Sequence, residues 1–424
     1  MSNSTESPSS SSTTVTVALQ GQPHHYTLTC QRGLLTQHPT GLVEALQQAL
    51  ATSLLGKKCV IVSDAHVWPL YGSHVQTQLE QAGVQTAVHT LPPGEASKTL
   101  AQFQQVLQTA LGEGLKRSDM ILALGGGVVG DLAGFVASSY YRGCVFIQVP
   151  TTLLAQVDSS VGGKVAVNAS DAHGHLVKNS VGAFYQPHWV GIDPDVLHTL
   201  PQREQQAGLA ELLKYAFIEQ TALRRPPQAE TETLWHFFSR AFDSWHTATD
   251  WLIPTACRIK ASVVQYDERE QAAPLDASGR VCLNLGHTFA HAYESQLGAE
   301  FGMGSLLHGE AVGWGLVAAT LTSHALGLLD DAHTQAIIGV SQRLGLLQRP
   351  QEITELPSIK SLVASMFHDK KNQTAHEIRL ILPSLPIGTV RVVPTQDTEL
   401  LASVLTKLHS LFKCNEDESA KAKP

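Results

Sequence analysis

Three stretches of the chain carry residue types whose spacing could do chemistry. In Asn284-Leu-Gly-His287-Thr-Phe-Ala-His291, two histidines stand at i and i+4, on one face of a helix if the segment is helical, and His308-Gly-Glu310 follows further on. Imidazoles on one helix face with a more distant histidine suit a zinc ion. No Glu follows His287, so the H-E-x-x-H arrangement of zinc peptidases is absent. A further ligand would have to come from elsewhere, and Glu211 is attractive as a lone acid in the apolar stretch Ala207-Gly-Leu-Ala-Glu211-Leu-Leu-Lys214-Tyr215. Three N/O ligands with an open position define a catalytic rather than a structural site. The chain has 20 histidines, so chance pairs occur and satisfied helix histidines account for this pattern alone equally well.

The second stretch, Met120-Ile-Leu-Ala-Leu-Gly-Gly-Gly-Val-Val-Gly-Asp131-Leu-Ala-Gly134, reads as a strand, a Gly-rich turn and an apolar helix. Gly125, Gly127 and Gly130 satisfy G-x-G-x-x-G, which lets backbone N–H groups at a helix N-terminus approach a pyrophosphate. The acid expected about 20 residues later on a ribose is missing, so the ordinary dinucleotide fingerprint is not met. A tight turn for close helix packing is the plainer account, and Asp64 at the end of an earlier strand is a substitute contact for ribose hydroxyls. The third stretch runs from Gln148 through Asp158 and Gly162-Gly-Lys164 to Lys178-Asn179, with Tyr141-Arg142-Gly143 upstream. On a chain of net charge −8 these cations form a candidate phosphate and polyol site, though single lysines are commonly just solvated.

The elements that would position these groups follow from periodicity. Val15–Leu19 and Tyr26–Cys30 alternate like a hairpin, and Cys59–Ser63, Gln85–Thr90 and Met120–Leu124 read as strands separated by helical stretches, one over Ser97–Glu113 with Ser97 as its N-cap. Strands alternating with helices imply a parallel sheet with crossovers. From Pro201 onward the texture becomes mainly helical. The expected organisation is a polar tail over 1–13, an α/β cofactor domain over 14–200, an α-helical metal and substrate domain over 201–413 and a frayed polar tail over 414–424.

Composition bounds the function. With 424 residues, 43% hydrophobic and 16% charged, the chain can bury a sizeable core and is neither disordered nor coiled coil. The negative net charge argues against nucleic acid and acidic membranes as partners, and the longest apolar run, Ala311 to Leu321, is well short of the roughly 18 residues that span a bilayer. No signal-peptide pattern opens the sequence, and the six cysteines lie too far apart for C-x-x-C motifs, so a cytoplasmic location with reduced, buried thiols is expected.

The segments GGGVVGDLAGFVASSYYRG, QVPTTLLAQVDSSVGGKVAVN, KNSVGAFYQP, AGLAELLKYA, DERE, LNLGHTFAHAYE, LLHGEAV and HDKKN stand in the order seen in 3-dehydroquinate synthases, and from about Val15 to Val393 the chain resembles that family. The resemblance implies a Rossmann-like NAD-binding domain followed by an α-helical metal domain. It also implies conversion of 3-deoxy-D-arabino-heptulosonate 7-phosphate to 3-dehydroquinate and phosphate, by transient NAD oxidation, phosphate elimination, reduction, ring opening and aldol closure. NAD, zinc or cobalt, a sugar phosphate substrate and a homodimer are the implied cofactors and partners.

Position by position, the resemblance implies that Asp64, Glu95, Lys98, Gly126, Gly127, Val128, Asp131, Thr151, Thr152 and Thr199 contact NAD, and that Glu211, His287 and His308 ligate the metal. His291 then falls on the substrate side, which corrects the simpler idea that both members of the i, i+4 pair bind metal. Asp158, Lys164, Lys178, Asn179, Lys214, Lys260, Arg280, Asn284 and His291 match substrate-binding positions, with Glu270 and Lys370 or Lys371 beside them, and Arg142 matches an arginine reaching the phosphate from a second subunit. Lys164, Asn284, His291, Arg142 and Glu270 are the expected catalytic groups. Departures are Ala290 in place of a usual Gly and longer links at Ala169–Val177, Glu270–Arg280 and His291–His308, all expected in loops. Another sugar phosphate cyclase, such as a 2-deoxy-scyllo-inosose synthase, shares the turn and the metal trio, but Arg280, Asn284 and His291 together with KNSVGAFYQP favour dehydroquinate formation. A polyol dehydrogenase or a silent NAD-binding protein would not need the lysine cluster.

Overall fold

The computed structural model describes residues 12–18, 25–36, 40–172, 176–224, 232–240, 242–302, 304–367 and 377–421. Strands β1 (Thr13–Val17) and β2 (Tyr26–Cys30) form the expected hairpin, with Val15 opposite Leu28. Most of the polar N-terminal tail, residues 1–11, lies outside the described residues. There follow α1 (Gly41–Leu50), β3 (Lys58–Asp64), α2 (Ser73–Gln81), β4 (Gln85–Leu91), α3 (Leu100–Gly112), β5 (Met120–Gly125), α4 (Gly127–Ser139) and β6 (Val145–Pro150). After β7 (Lys164–Ser170) and β8 (Leu176–Phe184), β9 (Trp189–Ile192) rejoins the main sheet. The sheet has seven strands in the order β1-β2-β9-β6-β5-β3-β4 among the described residues, parallel except for the β1–β2 pair.

Period-2 alternation explains the layering. Cys59 and Ile61 of β3 pack with Leu42, Leu46, Val75 and Leu79 of α1 and α2, whereas Val60 and Val62 pack with Val106 of α3 and Leu132 and Val136 of α4. A strand buried on both faces must be apolar throughout, which is why β3 and β5 read as continuous hydrophobic runs. The chain winds from β3 outward to β4, then crosses back over β3 to β5 and on to β6. The strand order therefore reverses between β3 and β5, and open α/β sheets bind ligands in the crevice at such a switch point.

One boundary differs from expectation. The helix begins at Leu100, not Ser97, and Thr99 caps it by accepting the Gln102 N–H at 3.2 Å. Ser97 is drawn into a separate turn over Glu95–Ser97, where its hydroxyl donates to the Pro92 carbonyl.

Helix α5 (Gln202–Leu223) starts directly after the Leu200–Pro201 step, followed by α6 (Leu234–Arg240), α7 (Thr249–Tyr266), α8 (His287–Phe301), α9 (His308–Ala325), α10 (Asp331–Arg343) and α11 (Ile359–Phe367). These helices share one core, in which α5, buried over most of its circumference, packs against α7 and α9. A hairpin not foreseen from the sequence, β10 (Ile378–Ser384) and β11 (Thr389–Thr395), lies against α5 and α9. The backbone of α12 (Thr398–Lys421) continues helically past Cys414, where fraying was expected. Cys30, Cys59, Cys144, Cys257 and Cys282 are free and buried, as apolar thiols should be.

Candidate active site

Three helices converge on the candidate metal centre. Glu211 lies in the middle of α5, and His287 and His308 open α8 and α9. One ligand atom from each lies within 4.8 Å of the other two, with His308 Nε2 at 3.5 Å and His287 Nε2 at 3.8 Å from Glu211 Oε1. The outward nitrogens are already engaged: His287 Nδ1 faces the Leu285 carbonyl at 3.1 Å, and His308 Nδ1 faces Glu294 Oε2 at 3.4 Å. Imidazoles held at Nδ1 by a carbonyl and a carboxylate present Nε2 inward, the arrangement that orients metal ligands. Glu211 is only 1% exposed, and its Oε2 has no hydrogen bond although Lys214 Nζ lies 2.5 Å away as an ion partner. Two inward imidazole nitrogens and the buried Glu211 Oε1 make an N, N, O donor set that fits zinc or cobalt.

The charges around this centre are interlocked. Asp158, at the end of the turn Ala155–Ser159, meets Lys214 Nζ at 3.4 Å and Lys260 Nζ at 3.1 Å and accepts a short hydrogen bond from the Tyr215 hydroxyl. Burial alone would raise the Asp158 carboxyl, but Lys214 and Lys260 outweigh it and hold it well below the usual carboxylate range. Burial pushes the Lys260 ammonium down, with Asp158 opposing. His291 stands beside the trio, its ring centre 5.7 Å from that of His287 and 6.4 Å from that of His308. Asn284 ends the short turn before α8, at Arg280–Asn284.

The second part of the site is the carboxyl edge of β4, β3, β5 and β6. Asp64 ends β3, and its Oδ1 accepts the N–H groups of His66 and Val67. Beside it β5 runs into Gly126, Gly127 and Val128 at the start of α4, and the Thr151 N–H donates to the Gly125 carbonyl at 3.0 Å. A Cβ on Gly127 would come 3.1 Å from Ser159 Oγ, and one on Gly126 would come 3.0 Å from Thr152 Cγ2, so larger residues would crowd this turn. Thr151 Oγ1 is buried without a hydrogen-bond partner. A glycine turn at a helix N-terminus beside an orphaned hydroxyl suits a pyrophosphate and its sugar. Thr199 bonds the Tyr71 hydroxyl at 2.6 Å.

Lys98, 4% exposed, forms a short ion pair with Asp131 of α4 and donates to Asn179 Oδ1 at 2.5 Å. Burial raises the Asp131 carboxyl, with Lys98 opposing.

The basic residues sit on a two-stranded ribbon. In the longer link at Ala169–Val177, Ala169 pairs with Val177 and Ser170 with Leu176, and residues 173–175 lie outside the described residues. Lys164 pairs with Glu270 and Lys178 with Glu294 at 3.0 Å, so each ribbon lysine meets an acid of the helical half. Asn179 adopts φ 52° and is held there by its N–H to Asn168 Oδ1 at 2.8 Å. Arg280, 2% exposed, donates to the carbonyls of Gly162 and Asp267 and so braces the turn that leads into Lys164.

Arg142 has no described hydrogen bond or ion pair with this cluster. It is exposed, at φ 63°, beyond the C-terminal end of α4, whereas the glycine turn is at the other end. Lys370 and Lys371 lie outside the described residues. The sequence reading missed Glu294, Asn168 and Tyr215. Asn168 also donates to Glu95 Oε1 at 2.8 Å, which ties Glu95 to Asn179.

Comparison with known proteins decides the family. Models of the 3-dehydroquinate synthase N-terminal and C-terminal regions match residues 88–207 and 208–372. The 3-dehydroquinate synthase of Desulforamulus reducens is 44% identical over 79% of this chain and 87% of its own length. The chain belongs to the 3-dehydroquinate synthase family. The 3-dehydroquinate synthase of Vibrio atlanticus is 42% identical over 84% of this chain and 91% of its own. A 2-deoxy-scyllo-inosose synthase solved with carbaglucose-6-phosphate, NAD+ and Co2+ superposes with a TM-score of 0.72 at 23% identity, over 93% of this chain and 99% of that one. A 2-epi-5-epi-valiolone synthase from Streptomyces hygroscopicus, solved with NAD+ and Zn2+, gives 0.72 at 24%, over 93% and 98%. These likenesses concern the fold.

Proposed function

We propose that this member of the 3-dehydroquinate synthase family converts 3-deoxy-D-arabino-heptulosonate 7-phosphate to 3-dehydroquinate and inorganic phosphate, with NAD and zinc or cobalt bound. The observation that carries the reading is the convergence of Glu211, His287 and His308 to within 4.8 Å in a chain 44% identical to a relative of that name. A 2-deoxy-scyllo-inosose synthase activity rests on likeness of fold at 23% identity. Residues 14–200 serve as the cofactor half and 201–413 as the metal and substrate half.

Glu211, His287 and His308 would hold the metal. Gly126, Gly127, Val128, Thr151 and Thr152 would hold the dinucleotide phosphates and sugar, with Asp64, Glu95, Lys98, Asp131 and Thr199 around them. When bound, NAD supplies reversible redox chemistry at one ring carbon and the metal supplies Lewis acidity beside it. The chain's own work is to bind, orient and move protons. Asp158, fixed by Lys214 and Lys260, presents a charged acceptor to substrate hydroxyls, and the two lysines present donors. Lys164, Lys178 and Asn179 face the leaving phosphate, and a dianion there exchanges carboxylate partners for charge-assisted contacts. The phosphate oxygens take the proton from the neighbouring carbon as the C–O bond breaks. His291 and Asn284 serve proton movement beside the metal, and Glu270 tunes Lys164.

Arg142 completes the phosphate site from a second copy. Its exposure just past the C-terminal end of α4, where a second copy can reach it, supports this placement. A homodimer is the assembly this reading requires; no described helix is long and apolar enough to cross a membrane. The zinc- and NAD-loaded protein, given the heptulosonate phosphate, is expected to yield one dehydroquinate per phosphate. Failure to form a carbocycle would remove the reading.

A further inference from the structure

Arg203, Ala207 and Glu211 stand at i, i+4 and i+8 on one face of α5, and the first turn of α9 meets them in reverse order. Arg203 forks onto Glu310, Nε to Oε1 at 2.6 Å and Nη2 to Oε2 at 2.9 Å, and Nη2 also donates to the Ser305 carbonyl at 2.7 Å. Gly309 lies on the α5 backbone so closely that a Cβ there would come 2.0 Å from the Ala207 carbonyl oxygen. His308 Nε2 reaches Glu211 Oε1 at 3.5 Å. Glu310 also accepts the Leu307 N–H at 2.8 Å, which holds the residue just before the helix.

We propose that Arg203 and Glu310 are positioning residues for the metal centre, setting the rotation and height of the first turn of α9 so that His308 faces Glu211. The physics is that of a helix end. The first turn of a helix has N–H groups without intrahelical partners and frays unless something holds it. Leu307 has no side-chain acceptor for those N–H groups, and Glu310 instead pins the cap residue by accepting the Leu307 N–H. A planar guanidinium bound to both carboxylate oxygens fixes orientation as well as distance, which a point charge does not. Because Gly309 lacks a side chain, the two backbones touch, and the contact alone leaves the turn able to slide. The fork two residues beyond His308 removes that freedom.

The inference rests on the metal assignment above, and its test separates the two. Chelator-stripped protein is titrated with zinc against a fluorescent chelator, and its cobalt complex is examined by visible absorption. Arg203→Met is expected to weaken zinc about tenfold and alter the cobalt spectrum, the effect of losing an orienting contact. Arg203→Lys, which keeps charge but loses the fork, should fall between. Arg32→Met is the control: Arg32 forks to Asp195 at 2.6 Å and Asp250 at 2.9 Å and has no described contact with Glu211, His287 or His308. It should lower thermal stability and leave zinc affinity unchanged. Wild-type affinity and spectrum in Arg203→Met would overturn the proposal, as would equal zinc loss in Arg32→Met. If Arg203→Met does not fold, Arg203→Lys decides alone, weaker zinc supporting the proposal and unchanged zinc overturning it. Wild-type protein that takes up no zinc would remove the metal reading and this inference with it.

Discussion

Lys178 of β8 and Glu294 of α8 are ion-paired at 3.0 Å, and the other oxygen of Glu294 faces His308 Nδ1 at 3.4 Å. One carboxylate thus joins the basic ribbon to the metal trio. Burial alone would raise Glu294, but His308 and Lys178 hold it well below the usual carboxylate range. For His308, burial would lower the imidazole, and Glu294 and Glu211 instead push it up to about 10. Glu294→Gln removes the charge from both partners at once. Its zinc affinity should fall about 10- to 100-fold, and with saturating zinc its KM for the heptulosonate phosphate should rise more than its kcat falls. Unchanged zinc affinity in a chelator competition would separate Glu294 from the centre.

His287→Ala should purify with little zinc and with activity lowered by orders of magnitude, because one of three ligands is gone. His291→Ala is expected to keep its zinc and lose turnover. Elemental analysis of the two variants reads the difference, and normal metal content in His287→Ala would take that residue out of the site.

Asp158 supplies a pH-dependent prediction. Its folded carboxyl lies well below the roughly 3.9 of an unfolded aspartate, so the stability it contributes is fully present above that value and is lost as pH falls through the folded one. Asp158→Asn strips Lys214 and Lys260 of a shared partner and should cost on the order of 3 kcal/mol at pH 7. Urea unfolding should show this gap constant from about pH 7 to 5 and narrowing below about pH 4. A gap that widens on acidification would contradict the ion-pair account.

Co-expressed Arg142→Ala and Lys164→Ala subunits should recover activity, since some mixed dimers carry one intact site. Verified heterodimers with no recovery would assign Arg142 to its own subunit's site.

The glycine turn was legible because its chemistry is local in sequence, glycines after a buried strand, and Glu211 stood out as a lone acid in an apolar helix. Helix spacing singled out His287 with His291, and only the family resemblance put His308 in the trio. Glu294 was not legible, because its partner Lys178 is 116 residues away and nothing at either position announces the pair. Asn168 was missed for the same reason, since its two contacts, Glu95 and Asn179, belong to different elements. The start of α3 was misplaced because Ser97 and Thr99 are both good caps, and only the turn at Glu95–Ser97 decides between them. The β10–β11 hairpin alternates weakly and follows long helices, so a texture averaged over the second half concealed it.

The central claim is that a hydride taken early is returned later on the same substrate, so NAD is catalytic and phosphate loss is tied to ring formation. The direct measurement follows phosphate and 340 nm absorbance together, with NAD well below the heptulosonate phosphate concentration. The account predicts many phosphates and an equal amount of dehydroquinate per NAD, with no net rise in absorbance. Steady NADH accumulation without equimolar phosphate would contradict it.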